Sequence, residues 1–341
     1  MGHGDLRYTA TYTIIRTYWY LPHGAASPKV RDRAEAEFFA LAARSTLNRE
    51  SSGRMPFAWT INPYRGCEFG CHYCYARYTH EFMEHRDGLD FERKIYAKVN
   101  APELLRAELR AARDRGQSIA LGTATDPYQP AEKQFEITRR LLEVFAKFRG
   151  LEFSITTKGT LILRDLDLLR RNAERHRLSV GITVTTTDEA LARRLEPKAP
   201  PPAKRLEAVR ALAQAGIRSG VMLMPVLPGL TDSPRSLVAV ARAAAESGAR
   251  FLYAGVLFLM PSAMKQFMPF LEREVPRLVK RYCKLYARSA YLNGEYKEEI
   301  SQLVAALRTR YGLDGQRDDQ PAPWHPQLAF PFSSAAPQRR C

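Results

Sequence analysis

The sequence predicts an α/β fold of parallel β/α units, and three observations carry it. Between residues 118 and 259, β-branched or apolar runs alternate with helical patterns, the mark of crossover β/α units. The punctuation fits: proline or a capping residue opens several helices, and glycine closes them at Gly116, Gly150, Gly216 and Gly248. Finally, a short strand pattern at residues 57–61 runs straight into a cysteine-rich loop. In β/α barrels the C-terminal strand ends carry the chemistry. Six strands, from residue 57 to residue 259, is the count of a partial (β/α)6, TIM-like barrel, and further helices follow.

The elements are read in order. Residues 9–20 are aromatic and β-prone and predict an edge strand; residues 24–28 predict a loop. Residues 31–44, Ala-rich around Phe38, Phe39 and Leu41, predict a helix. The six strands are expected at 57–61, 118–121, 152–156, 178–185, 217–224 and 251–259. Helices are expected at 102–115, 131–148, 164–176, 188–195, 203–215 and from Ser233-Pro234 to about Gly248. Residues 264–307 read as helical with breaks at Pro269 and Pro276. Cys283 falls there as a buried packing thiol. The organisation is therefore an extension at 1–54, a barrel at 55–262, a helical region at 263–311 and a disordered tail, rich in Pro, Gln, Ser and Asp, at 312–341.

Composition sets bounds. The 341 residues are 45% apolar, enough for a large core. The longest apolar run, residues 251–260, is too short to span a membrane. Met1-Gly2-His3-Gly4-Asp5 has neither a basic nor an apolar leader pattern, so a cytoplasmic protein is expected. The net charge of +16 suits a polyanionic partner such as nucleic acid. Arginines that merely solvate helix faces would give the same sum.

Cys67, Cys71 and Cys74 have the spacing C-x3-C-x2-C. A 4Fe–4S cluster normally takes four thiolates. Three from one loop would leave an iron open to a small chelating molecule. Zinc is the competitor, but structural zinc wants four ligands, no second knuckle exists, and His72, His80 and His85 lie at no usual finger spacing. A disulfide framework fits poorly with five cysteines, three of them within eight positions.

Taken together, four stretches resemble the spore photoproduct lyase-like branch of the radical S-adenosylmethionine (SAM) superfamily, nearest to an uncharacterised bacterial subgroup. They are Asn-Pro-Tyr-Arg-Gly-Cys-Glu-Phe-Gly-Cys-His-Tyr-Cys-Tyr-Ala-Arg at 62–77, Gly-Thr-Ala-Thr-Asp-Pro-Tyr-Gln-Pro at 122–130, residues 156–158 with 161–165, and Leu-Glu-Pro-Lys-Ala-Pro at 195–200 with Arg205-Leu206. Residues 224–232 resemble the fifth strand and its loop. The likeness covers roughly residues 45–296. It implies a 4Fe–4S cluster on Cys67, Cys71 and Cys74, with SAM on the open iron. It also implies a one-electron donor such as flavodoxin or ferredoxin.

For SAM contacts the resemblance points to Tyr73 against the adenine and to Thr123, Asp126, Thr156, Lys158, Thr183 and Glu196 at strand ends two to four. Lys158 would meet the SAM carboxylate as a point charge. Thr183 stands where relatives place a SAM-contacting serine, and Thr185 shares its face by alternation. Strand propensity alone would also account for each threonine. Substrate contacts are expected from Arg65 and Arg77, which flank the loop, and from Tyr128 and Gln129 on the rim. Arg65 and Arg77 could equally brace the loop. One departure stands out: photoproduct lyases carry a hydrogen-donating cysteine near the end of strand two, and Thr123 stands there. The expected activity is therefore reductive SAM cleavage to a 5′-deoxyadenosyl radical. The basic charge favours a nucleic acid or nucleotide as substrate, with a peptide or small metabolite as the in-class alternative. The out-of-class alternative is a non-catalytic, zinc-dependent nucleic-acid-binding protein.

Overall fold

The structure is a computed structural model that describes residues 29–315, except 34–35, 51–54, 86, 112–117 and 293. The strand expected at 9–20, the loop at 24–28 and most of the tail lie outside the described residues.

Among the described residues, eleven strands form two sheets. The small sheet contains β1 (Lys29–Arg33), β2 (Ala36–Leu41), β5 (Tyr64–Arg65) and β6 (Lys94–Lys98), in the order β1-β2-β6-β5. The large sheet contains β3 (Asn48–Arg49), β4 (Trp59–Ile61), β7 (Ile119–Leu121), β8 (Glu152–Thr157), β9 (Arg177–Thr183), β10 (Ser219–Val226) and β11 (Phe251–Val256). Its order, β11-β10-β9-β8-β7-β4-β3, is nearly sequential. Strands β4 and β7 to β11 pair in parallel, and β3 pairs antiparallel to β4. Strands β3 and β11 do not pair with each other among the described residues, so the sheet does not close and the six parallel strands make the partial barrel that the alternation predicts. Strands β7 to β10 are mostly buried along their length, as expected where helices cover a parallel sheet.

The covering helices follow the expected rhythm: Ala101–Ala111, Ile137–Phe145, Leu166–Ala173, Glu189–Leu195, Pro202–Gln214 and Pro234–Glu246. Asp188 and Ser233 cap two of them by accepting from Leu191 N and Ser236 N. The final helix, Glu295–Tyr311, packs on Pro234–Glu246 and β11.

Several expectations are corrected. Where a helix is expected at 31–44, the described residues form the end of β1 and all of β2; the helix-forming Ala, Glu and Leu of β2 are overridden by pairing on both sides, to β1 and β6. The helix expected at 131–148 is two, Glu132–Phe135 and Ile137–Phe145, separated by Glu136 at φ +49. The Glu132 carboxylate caps the second piece, accepting from Thr138 N at 3.0 Å and Arg139 N at 3.1 Å. The segment expected as helix 164–176 begins as a 3₁₀ turn at Thr160–Asp165. Pro269 does not break its helix, which runs Pro261–Glu274. The carbonyl its ring deprives of a partner belongs to Lys265, and both residues lie on the exposed side of the helix. Cys283 is exposed, not packed inside.

Two apolar clusters hold the chain. The larger fills the space between the sheet and its helices. The second joins Cys67, Phe69, Cys71 and Tyr73 to Leu191, Leu195, Phe267, Phe270 and Tyr282. The helices after residue 261 thus form the floor on which the cysteine loop rests.

Candidate cluster and cofactor site

The cysteine loop leaves β5 through Gly66, which has φ +85; a Cβ there would lie 2.7 Å from Phe91 O and 2.8 Å from Lys94 O. Only glycine fits such a turn. Around it the backbone is fastened at many points. Cys67 N donates to Phe91 O at 2.9 Å, and His72 N to Leu195 O at 3.1 Å. Gly66 O accepts from Thr125 Oγ1 at 2.6 Å and Gln129 Nε2 at 3.1 Å, while Gln129 Oε1 accepts from Glu68 N at 2.9 Å. Arg77 donates to Cys71 O at 3.0 Å, to Gly88 O at 2.7 Å and to Glu92 at 2.5 Å.

Cys67 and Cys71 are buried and Cys74 half-buried. Burial pushes all three thiols up, Cys71 to about 12, although the charges of Lys158 and Arg205 pull Cys71 back. A metal reverses this by replacing the proton.

Beside the loop lies a buried ionic network. Tyr73 OH donates to Glu196 Oε1, which also accepts from Thr185 Oγ1 at 2.7 Å. Arg205 pairs with the other oxygen of Glu196, and both side chains are only 1% exposed. Arg205 also donates to Pro200 O at 2.6 Å and Thr183 O at 3.1 Å. Lys158 Nζ stands 4.0 Å from Glu196 and 5.8 Å from the Tyr73 ring centroid. Burial alone would raise the Glu196 carboxyl, but Arg205 and then Lys158 hold it below the ordinary range. For Lys158, burial lowers the ammonium, but Cys71 and Glu196 outweigh it and raise it. An always-charged guanidinium therefore neutralises Glu196 and leaves the Lys158 charge at the mouth of the site.

The structure brings Tyr73, Lys158 and Glu196 together, with Asp126 on the same side. Asp126 orders its loop: Oδ1 accepts from Tyr128 N at 2.9 Å and Thr157 Oγ1 at 2.5 Å, and Oδ2 from Lys158 N at 2.7 Å. It thereby fixes the backbone of Lys158. Thr123 Oγ1 accepts from Asn62 Nδ2 at 3.1 Å at the end of β7. Thr156 and Thr183 lie on β8 and β9, Thr183 buried; Thr185 falls just beyond the strand. Arg65, half-buried on β5, has its guanidinium pKa lowered by burial.

Three expected substrate contacts sit elsewhere. Arg77 is 3% exposed and braces Cys71, Gln129 is 0% exposed and staples Gly66 to Glu68, and Tyr128 is 1% exposed. In these places Arg77 and Gln129 hold the loop, and the Tyr128 ring packs in the larger apolar core. Arg205 carried no assigned role in the sequence reading. Its signal is there: with Ala208, Val209 and Leu212 it lies on the apolar face of Pro202–Gln214, an unusual place for a charge.

Among the described residues no three Cys, His, Asp or Glu side chains converge as ligands of a single ion would. Cys67 and Cys71, buried, and Cys74, half-buried, come from one loop whose backbone is fastened on both sides.

A family model described as the radical SAM superfamily matches residues 61–240. An uncharacterised protein of Mycobacterium tuberculosis is 39% identical over 294 residues, 86% of each chain. One of Methanocaldococcus jannaschii is 29% identical over 244 residues, 71% of this chain and 85% of its own. Among solved structures, a spore photoproduct lyase mutant matches with TM-score 0.59 at 15% identity, covering 80% of this chain and 79% of its own. Spore photoproduct lyase complexed with dinucleoside spore photoproduct matches at 0.57 and 16% identity, with the same coverage. At such identities the likeness concerns the fold, an open sheet of parallel β/α units.

Proposed function

The chain belongs to the radical SAM superfamily, whose members use a 4Fe–4S cluster and SAM, and we propose that Cys67, Cys71 and Cys74 hold that cluster here and that the enzyme acts on a nucleic acid or nucleotide. When bound, the cluster and SAM supply the chemistry: one electron breaks the sulfonium C–S bond, giving methionine and a 5′-deoxyadenosyl radical that takes a hydrogen atom from substrate. The chain's residues bind, orient and shield. Lys158 offers its ammonium to the SAM carboxylate. Glu196 and Arg205 set the charge beside Lys158 and, through Tyr73, the position of the ring expected against the adenine. Thr156 and Thr183 line the neighbouring strand ends as hydroxyl donors. Asp126 fixes the Lys158 backbone. Gln129, Arg77 and Thr125 hold the loop rigid, so the three sulfurs are arranged before the metal arrives.

The observation that carries the reading is the meeting of a fastened three-cysteine loop with the buried Lys158–Glu196–Arg205 network. The +16 charge supports the polyanionic substrate class. Thr123 has a hydroxyl where the lyases use a thiol, so any hydrogen atom given to a product radical would have to come from a group other than residue 123. Among the described residues no helix is long and apolar enough to cross a membrane. We place the protein in the reducing cytosol, served by a flavodoxin- or ferredoxin-like donor.

Anaerobic reconstitution tests this. About four irons and four sulfides per chain are expected, with 5′-deoxyadenosine appearing once SAM and dithionite are added. Cys71→Ala should lose both. A colourless zinc protein making no 5′-deoxyadenosine would overturn the reading.

A further inference from the structure

Two features outside the cofactor site meet at the open edge of the sheet. The first is a chain of aromatic rings. Tyr75, directly after Cys74, donates its hydroxyl to Thr123 O at the end of β7. Its ring stacks on Tyr78 at 6.4 Å, and Tyr78 meets Phe82 edge-on at 5.7 Å. On its other side Tyr75 meets Phe258 at 5.8 Å, and Phe258 stacks on Tyr291 at 4.2 Å. Phe258 follows β11, the last parallel strand, whereas Tyr75 follows the cysteine loop that leaves β5, so the rings join the two ends of the barrel segment. The outer members are exposed: Phe82 is 70% and Tyr291 45% accessible. The chain of rings therefore reaches the surface at both of its ends.

The second feature is a basic stripe that leads into those rings. Residues 261–292 contain seven Lys or Arg against two Glu. Lys280 and Lys284 share one face of the helix Val279–Leu285, Arg277 lies in the 3₁₀ turn before it and Arg288 in the bend after it, and all four are exposed. Among the described residues none of the four makes an ion pair, while nearby Arg281 faces Asp232 at 3.7 Å. The opposite face is apolar: Leu278, Tyr282 and Tyr286 are buried, and Tyr282 packs edge-on against Phe267 at 5.4 Å. Leu259 N donates to Ala290 O at 2.9 Å, which ties the end of the stripe to the segment carrying Phe258. Arg288 stands three residues before Tyr291.

We propose that the basic stripe and the aromatic bridge form one docking surface for single-stranded or unpaired nucleic acid. Arg277, Lys280, Lys284 and Arg288 track the phosphates, and Phe82 and Tyr291 stack bases beside the cofactor mouth. This deepens the substrate class proposed above and rests on that reading. A duplex keeps its bases stacked on each other and cannot offer their faces to the rings, so the surface selects unpaired strand. A purely acidic protein partner would use the stripe but leave Phe82 and Tyr291 without an occupant.

The test is equilibrium binding of the full chain to fluorescein-labelled oligonucleotides, single-stranded and duplex, over a salt series. Charge reversal of the stripe (R277E, K280E, K284E, R288E) should weaken single-strand binding more than tenfold. It should also reduce the slope of log K against log salt by about 3, at about 0.7 per phosphate contact. Phe82→Ala with Tyr291→Ala should weaken single-strand binding about tenfold or more, with the slope and duplex binding unchanged. Unchanged melting temperatures control for folding of the variants. Wild-type affinity after charge reversal would overturn the proposal. So would equal loss of duplex and single-strand binding in the aromatic variant, or poly-glutamate binding with the same sensitivity to that variant. Wild-type protein that makes 5′-deoxyadenosine but binds no strand refutes the surface alone; one that binds strand but cleaves no SAM refutes the radical chemistry alone.

Discussion

Replacing Arg205 by methionine removes the cation facing Glu196 in a pair whose side chains are each 1% exposed. Removing one partner of a buried pair costs about 3–5 kcal/mol, because the other charge is left without compensation. Two effects modify that figure in opposite directions. The carbonyls of Pro200 and Thr183 lose donors at 2.6 and 3.1 Å, and an unsatisfied buried carbonyl costs about 1–3 kcal/mol. Against this, Lys158, 4.0 Å away, can swing onto the freed carboxylate. The net expectation is about 4 kcal/mol, or a fall of about 6 °C in melting temperature for a chain of this size. If Lys158 swings, SAM affinity should fall about tenfold as well, since the ammonium is drawn off the cofactor. The assay is urea unfolding of the metal-free, reduced protein at pH 7 for Arg205→Met, Glu196→Gln and the double variant. SAM binding by reconstituted protein is measured in parallel. The double variant should lose at least about 1 kcal/mol less than the two singles added together, because it leaves no bare carboxylate. An Arg205→Met loss under about 1 kcal/mol, or strict additivity, would refute the network.

Three further outcomes follow from other residues. Gly66→Ala forces a side chain into a conformation at φ +85 and against two carbonyls within 2.8 Å; it should lower stability by at least about 1–3 kcal/mol and iron content with it, and wild-type iron loading would contradict the turn. His176 is 3% exposed, donates Nε2–H to Phe145 O and accepts from Leu151 N, so the fold requires it neutral. Burial lowers its pKa from 6.5 to about 4, so its contribution is complete above pH 6.5 and is lost as pH falls toward 4. Wild type should lose about 3 kcal/mol more than His176→Gln over that interval, and parallel unfolding curves would reject the neutral assignment. Cys283→Ser, at an exposed position, should leave iron content and 5′-deoxyadenosine yield unchanged; a drop in either would make Cys283 part of the chemistry.

Periodicity made the barrel legible. Each of the six parallel strands has its own β-branched or apolar run, and the Pro, Gly and capping signals around Ser233 and Asp188 act locally. The small sheet was not legible, because its pairing is long-range. Ala36–Leu41 mixes helix formers with two phenylalanines, and pairing with Lys29–Arg33 and Lys94–Lys98 makes it a strand. At the site, the cysteine spacing and the residues at strand ends could be read directly, since loop chemistry depends on short stretches. Burial could not. Gln129, Arg77 and Tyr128 look like rim groups in sequence, yet the loop folds over them and turns their polar atoms inward. Arg205 shows the converse. Its partner Glu196 lies nine residues away across a proline connector, and only the fold reveals that the two charges share one buried space.

The central claim is that three cysteines hold the cluster and leave one iron for SAM. Electron–nuclear double resonance on the reduced, reconstituted protein, with SAM isotopically labelled at its amino nitrogen, tests it most directly. A hyperfine coupling from the label, absent without SAM, is the predicted result. A cluster spectrum indifferent to SAM, with every iron taken by the protein, would contradict it.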